Sequence, residues 1–233
     1  MKDRILSVII PVYNEVNTVT SVIETVEQVD VAPFRKQIIV VDDGSSDGTR
    51  EILSQFGAAH PGVIVIFHDR NKGKGAALRT GFASAQGEAV IIQDADMEYD
   101  PNDWRKMLPF LLRGEADVVY GSRFRGGGTN WVWSHWLGNR MLSLITSLLY
   151  GRWVTDMETC YKLIKKDILN KVSLRANRFD FEPEITAKIL KQGVRFKEVA
   201  ISYRGRSFTE GKKICWRDAF AACWTLLKYR FID

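Results

Sequence analysis

The chain has 233 residues, 45% of them hydrophobic and 26% charged, with a formal net charge of +5. That suits one large α/β domain or two small ones around a substantial core, and the mild basicity fits an anionic partner without choosing among nucleotide, membrane surface and nucleic acid. Cys160, Cys215 and Cys223 lack metal-ligand spacing and His60, His68 and His135 are scattered, which argues against a zinc site and predicts reduced thiols in a cytosolic protein.

The N-terminus runs straight into an apolar stretch at 5–10 that ends at Pro11, a first strand with no signal peptide before it. A polar loop at 11–15 leads to a helix running to about residue 29, capped by Asn17 or Thr18, with Val19, Val22, Ile23 and Val26 on one face. A buried strand follows at 37–41, then a turn at 42–49, a helix to 56 and a strand at 63–67. The segment 71–75 opens a helix to 85; it lacks a phosphate-loop pattern and reads as a helix start with snorkelling lysines. A fourth strand at 88–93 delivers the acidic stretch 90–100. Pro101 and Asp103 open a helix to 112, and a fifth strand at 117–120 ends in Gly121, Ser122 and Arg123.

Beyond that point the pattern loosens. A glycine-rich loop at 123–133 precedes an amphipathic helix at 134–150. A short strand at 161–164, antiparallel to its neighbours, a helix at 181–191 and a strand at 194–202 follow. A basic loop at 203–213 and a helix at 218–229 complete the chain. Phe179, Phe181 and Trp216 read as core or interface residues. No stretch reaches the roughly 18 apolar residues of a membrane span. With no linker visible, residues 1–233 are expected to form one domain, with a nucleotide half at 1–123 and an acceptor half at 124–233.

Strands alternating with helices across short loops predict a mainly parallel sheet covered on both faces. Ligands bind such sheets outside the carboxyl ends of the strands, where the loops at 11–15, 42–47, 94–98 and 121–123 all fall. Asp94, Asp96 and Glu98 alternate with Ala95 and Met97, and in an extended segment alternate residues share a face. Carboxylates that close repel one another, and a hard divalent cation removes the penalty. Mg²⁺ or Mn²⁺ holding a phosphorylated substrate is therefore expected there.

Four segments carry a family resemblance: 8–15 (Val-Ile-Ile-Pro-Val-Tyr-Asn-Glu), 40–45 (Val-Val-Asp-Asp-Gly-Ser), Asp94-Ala95-Asp96 and Gly121-Ser122-Arg123. Together, and in this order, they resemble family-2 glycosyltransferases of the GT-A fold, closest to the dolichol-phosphate mannose and glucose synthases. The resemblance covers about 5–215. It implies a Rossmann-like, mainly parallel central sheet with an acceptor-side extension. It implies that Pro11, Tyr13, Glu15, Val40 and Asp42 hold the nucleoside, that Asp94 and Ala95 face the donor, and that Asp96 and Glu98 ligate the metal. Relatives often carry Gln where Glu98 stands. Asp43 and Asp47 are expected to shape the turn. Arg123, Arg140, Ser143, Arg206 and Lys212 are expected to clamp an acceptor phosphate, with Asp94 and Arg123 closest to the chemistry.

The implied partners are a nucleotide-sugar donor and a polyprenyl-phosphate acceptor. Thr155–Lys162 differs from the Ser-Gly-Phe-Arg version of many mannose-transferring relatives, which leaves the sugar open and offers Asp156 or Glu158 as a general base toward a saccharide acceptor instead. Interleaved basic and aromatic residues at 203–229 suit nucleic-acid binding, but their closeness to an acidic crevice argues against it, so no nucleic-acid partner is expected. A prenyl tail needs a bilayer. The helices at 134–150 and 218–229 with the basic loop are expected to attach the protein peripherally to the cytoplasmic face of a membrane, or a membrane partner protein supplies the anchor.

Overall fold

The computed structural model describes residues 4–126, 133–205 and 216–232. In chain order the elements are β1 (Arg4–Val12), α1 (Val19–Gln28), β2 (Phe34–Asp42), α2 (Thr49–Ala59), β3 (Val63–Phe67), α3 (Lys74–Ser84), β4 (Ala89–Ile92), α4 (Trp104–Leu112) and β5 (Val118–Ser122). There follow α5 (Arg123–Gly126), α6 (Trp133–Tyr150), β6 (Lys162–Lys165), α7 (Lys166–Leu169), α8 (Phe181–Lys191), β7 (Phe196–Ala200) and α9 (Trp216–Phe231).

Seven strands form one sheet in the order β3-β2-β1-β4-β6-β5-β7. The pairs among β3, β2, β1 and β4 are parallel, as is β5 with β7. β6 is antiparallel to both β4 and β5, as its sequence led one to expect. The inner strands are apolar without alternation because both their faces are covered. Leu6, Val8, Ile9 and Ile10 of β1 and Val90, Ile91 and Ile92 of β4 are all buried. α1 turns Val19, Val22, Ile23 and Val26 inward at helical spacing. α3 lies close on the sheet because Gly81 faces Ile9, whose Cγ2 would stand 2.3 Å from an added Cβ.

Two details differ from expectation. Thr18 sits at the α1 N-cap but makes no cap bond; its hydroxyl goes to the Ala95 carbonyl at 2.7 Å, across the crevice. β4 stops at Ile92, and 95–98 is a turn with Met97 at φ 59°. The three acids therefore do not share a face by strand alternation. Asp96 Oδ1 accepts the Glu98 backbone N–H at 3.1 Å, and that side-chain turn competes with an extended backbone.

A second apolar cluster joins α6, α8 and α9 through Leu142, Val154, Met157, Leu190, Ala222 and Leu226. α6 and α9 are also tied by the Tyr150 hydroxyl, which donates to the Leu226 carbonyl at 2.7 Å.

Candidate active site

The loops at the carboxyl ends of β1 and β2 are laced together. Asn14 adopts φ 53°, its N–H reaches Ser45 Oγ at 2.9 Å, and its Oδ1 accepts the Ser46 N–H at 2.9 Å. The Glu15 N–H bonds Thr49 Oγ1 at 3.0 Å and the Val16 N–H bonds Asp47 Oδ2 at 3.2 Å. Both left-handed non-glycine residues of the described chain, Asn14 and Met97, stand at this crevice, a costly conformation that recurs at binding sites.

Asp43 and Asp47 shape their turns. Asp43 accepts the N–H groups of Lys72 and Gly73 at 2.9 and 2.7 Å and His68 Nδ1 at 2.7 Å, fastening the 71–73 loop to β2. Asp47 accepts Thr49 N–H and Oγ1. Asp42 is fully buried, accepting the Ser45 N–H at 3.2 Å and Arg50 at 3.3 Å. Val40 packs in the core, so its side chain does not face a nucleoside. Pro11 lies within β1 beside Val41, half-buried; Tyr13 and Glu15 are half-buried on the adjoining loop.

The acidic turn forms the floor. Asp94, Asp96 and Glu98 are half-buried and Ala95 is buried. Asp94 is paired with Lys74, whose Nζ lies 2.8 Å from Oδ1 and 3.0 Å from Oδ2. The same ammonium stands 3.4 Å from Glu182 Oε1. Burial works against the Lys74 charge, but Asp94 and Glu182 outweigh it and hold its pKa well above the ordinary value. Glu182 also takes Lys162 Nζ at 2.5 Å, and Lys162 is fully buried over the Tyr120 ring. Neither Lys74 nor Glu182 was singled out from sequence. In place of the snorkelling expected at a helix start, the Lys74 side chain turns inward to Asp94 and Glu182. The signal for its true direction was the pair of glycines around it: Cβ atoms at Gly73 and Gly75 would stand 2.2 and 2.5 Å from the carbonyls of Asn177 and Ala176. α3 is thereby pressed against the segment before α8, and Lys74 is turned inward.

Glu98 accepts the Tyr203 hydroxyl at 2.7 Å, and its carbonyl accepts the Arg204 N–H at 3.0 Å. Asp96 and Glu98 offer hard oxygen donors on one turn. Among the described residues no group of three or more His, Cys, Asp or Glu side chains is placed to hold a metal. A two-carboxylate set fits Mg²⁺ or Mn²⁺ completed by substrate phosphate and water, and does not fit an all-protein cage.

The acceptor side differs from its expected form. Arg123 is buried and bidentate on Asp156, with Nε–Oδ2 at 2.8 Å and Nη2–Oδ1 at 2.7 Å, and its backbone N–H meets the same carboxylate at 2.8 Å. It lies over the Tyr203 ring at 5.1 Å. Arg123 is thus a neutralised post rather than a loose phosphate clamp. Asp156, with both oxygens engaged, is not placed to act as a base. Glu198, unnoticed in the sequence, holds this loop by accepting the N–H groups of Thr155 and Asp156. Ser143 spends its hydroxyl on the Asn139 carbonyl and the Met157 N–H, so it braces the loop and does not point at a ligand. Arg140 sits half-buried over the Phe124 ring, with a 3.4 Å bond to the Thr155 carbonyl. Glu158 buries Oε1 without a hydrogen-bond partner among the described residues. Its carboxyl is pushed up to about 7, first by burial and then by Glu182. Arg206 and Lys212 lie outside the described residues.

A strapped pair of turns beside an acidic floor, at the carboxyl ends of parallel strands, is the architecture of the GT-A glycosyltransferases. A solved structure of glucosyl-3-phosphoglycerate synthase from Mycobacterium tuberculosis, in complex with Mn²⁺, UDP and glucosyl-3-phosphoglycerate, matches 99% of this chain and 81% of its own, with a TM-score of 0.73 at 20% identity. At that identity the likeness speaks to the fold. The family follows from sequence: the glycosyl transferase family 2 model matches residues 7–173, and the chain belongs to that family. The polyprenol monophosphomannose synthase of Mycolicibacterium smegmatis is 30% identical over 214 residues, 88% of this chain and 79% of its own. The UDP-N-acetylglucosamine--dolichyl-phosphate N-acetylglucosaminyltransferase of Methanococcus voltae is 30% identical over 244 residues, 93% of this chain and 96% of its own.

Proposed function

We propose that this enzyme is a metal-dependent inverting glycosyltransferase that moves a hexose from a nucleotide-sugar of the GDP-mannose or UDP-glucose type to a polyprenyl or dolichyl phosphate. The observation that carries the acceptor is the pair of exposed apolar stripes on α6 and α9. α6 exposes Leu137, Met141, Leu144 and Leu148, and α9 exposes Phe220, Trp224, Leu227 and Phe231, each set at helical spacing. Exposed apolar stripes of this length suit an interaction site, and a lipid acceptor accounts for them where a saccharide does not. The two relatives named for polyprenyl or dolichyl phosphate support the same reading.

Asp96 and Glu98 would hold a divalent ion, which would supply neutralisation of the charge on the leaving nucleoside diphosphate. The laced 13–16 and 42–49 loops seat the nucleoside, with Tyr13, Glu15 and the Pro11 backbone as its walls. Lys74, with Asp94 and Glu182, gives paired donors and acceptors suited to sugar hydroxyls and fixes the anomeric carbon. The acceptor phosphate has a second pKa of ~6, so it attacks as a dianion and needs no base. One displacement inverts the anomeric configuration. Arg140, with Arg206 and Lys212, orients the phosphate, and Arg123 acts through the loop it fixes.

The alternative, transfer to a saccharide hydroxyl, requires a base, and with Asp156 committed to Arg123 that reading narrows to Glu158. Among the described residues no helix is long and apolar enough to cross a membrane. The exposed stripes of α6 and α9 support peripheral contact with the cytoplasmic leaflet, directly or through a membrane partner protein. A thermal-shift panel of UDP- and GDP-sugars with Mg²⁺ and Mn²⁺ identifies the donor, since binding to the native state raises Tm. Asp96→Ala is expected to lose the metal-dependent shift and turnover together; normal turnover of that variant in chelator refutes the metal assignment.

A further inference from the structure

Beyond the end of β7 at Ala200 the chain runs beside the acidic turn and is fastened at nearly every residue. The Ile201 N–H reaches the Ser122 carbonyl at 3.2 Å, the Ser202 N–H meets the buried Asp103 carboxylate, and the Arg204 N–H donates to the Glu98 carbonyl at 3.0 Å. Within this seam Tyr203 and Tyr99 form an isolated antiparallel bridge. The backbone that carries Tyr203 is therefore fixed from both sides.

The Tyr203 ring is held as firmly. It is buried, stands edge-on to Tyr99 with centroids 5.3 Å apart, and carries the Arg123 guanidinium 5.1 Å from its centroid. Tyr99 is packed in turn on Tyr161 at 4.8 Å. Edge contacts and a cation over the face both favour one ring orientation. That orientation aims the hydroxyl at Glu98 Oε2, 2.7 Å away.

A glutamate carboxylate sits at the end of three rotatable bonds and needs a partner to keep one direction. Asp96 Oδ1 accepts the Glu98 N–H, which orders the backbone between the two acids and leaves the Glu98 carboxylate to be ordered by other groups. The Tyr203 hydroxyl does this with a hydrogen bond to a charged acceptor, stronger than a neutral one. Carboxylates that ligate metals are commonly held by such outer partners, whose loss costs about 10- to 100-fold in metal affinity.

We infer that Tyr203 is a positioning residue for the metal, its hydroxyl holding the Glu98 carboxylate in the orientation in which Asp96 and Glu98 would take up Mg²⁺ or Mn²⁺. The inference rests on the metal assignment above and adds the group that orients one of the two ligands. It also gives a use to the stacking of Arg123: the ring between them ties the Arg123–Asp156 post to the acidic turn.

The test removes one hydroxyl and keeps the ring. Tyr203→Phe is titrated with Mn²⁺ in the presence of the nucleotide-sugar identified by thermal shift, and the Mn²⁺ concentration giving half of the Tm shift is read. That midpoint is expected to rise about 10- to 100-fold over the parent's, with turnover low at limiting Mn²⁺ and restored at saturating Mn²⁺. Tyr99→Phe is the control: it removes a hydroxyl from the same cluster, one that accepts the Cys160 N–H at 3.1 Å, and its midpoint should match the parent's. A Tyr203→Phe midpoint equal to the parent's, an equal rise in Tyr99→Phe, or turnover that stays low at saturating Mn²⁺ overturns the positioning role. A donor-induced Tm shift that needs no Mn²⁺ in the parent and persists in Asp96→Ala overturns the metal assignment itself.

Discussion

Asp156→Ala is expected to destabilise the protein by about 3–5 kcal/mol, the cost of leaving one member of a buried ion pair without its partner. Arg123 and Asp156 are hidden from solvent, and one carboxylate takes two guanidinium bonds and a backbone N–H, all between 2.7 and 2.8 Å. The guanidinium cannot shed its proton to escape: burial opposes its charge, yet Asp156 keeps its pKa well above an already high value. For a chain of this size each kcal/mol moves Tm by roughly 2–4 °C, so a fall of about 10 °C is expected in thermal unfolding followed by circular dichroism. The double variant Arg123→Met/Asp156→Ala removes the stranded cation and should recover at least half of that loss. A drop below about 3 °C for Asp156→Ala, or a double variant no better than the single, refutes the view of Arg123 as a neutralised post. Activity separates the remaining question. If Arg123 also reaches the acceptor, the double variant regains Tm but keeps a raised acceptor KM.

Glu158 has a folded pKa of about 7 against an ordinary 4.5, so the folded state holds its proton longer and stability declines as pH rises between those values. Glu158→Gln removes that decline: its stability should match the parent's near pH 4 and exceed it above pH 7 by up to about 3 kcal/mol, and parallel profiles of stability against pH across that range would contradict the buried-carboxyl assignment. Leu148→Asp with Trp224→Asp places charge on the two exposed stripes and should abolish flotation with anionic liposomes at unchanged Tm. Flotation of that variant would remove direct membrane contact from the proposal, and failure of the parent to float would transfer the anchor to a partner protein.

Most of the framework was legible because its signals are local. Continuous apolar runs mark β1, β2 and β4, helical spacing marks α1, and the short β6 is antiparallel to β4 and β5 as its sequence predicts. The acid cluster was found for a partly mistaken reason. Asp94, Asp96 and Glu98 lie on a side-chain-capped turn, and a period-two count cannot anticipate a left-handed Met97. What stayed hidden is long-range charge pairing. Lys74 meets Glu182 across more than a hundred residues, and Glu198 holds the Thr155–Asp156 backbone from the far edge strand. No spacing rule links such positions. Arg123 could be recognised as important from its place after β5, but not as already spoken for by Asp156, since a motif names a side chain and not its counterion.

The insertion of β6 between β4 and β5 governs the order in which the molecule can be completed. β5 precedes α6 in the chain, yet its strand partners are β6 and β7, and β7 ends only at Ala200. A nascent chain released as far as Arg123 carries β1 through β4 with their parallel pairings available, while β5 has no neighbour to bond. Such late, non-local pairing is slow and leaves edges exposed meanwhile. Truncation anywhere before β7 is therefore expected to yield an aggregating fragment rather than a free-standing nucleotide-binding half.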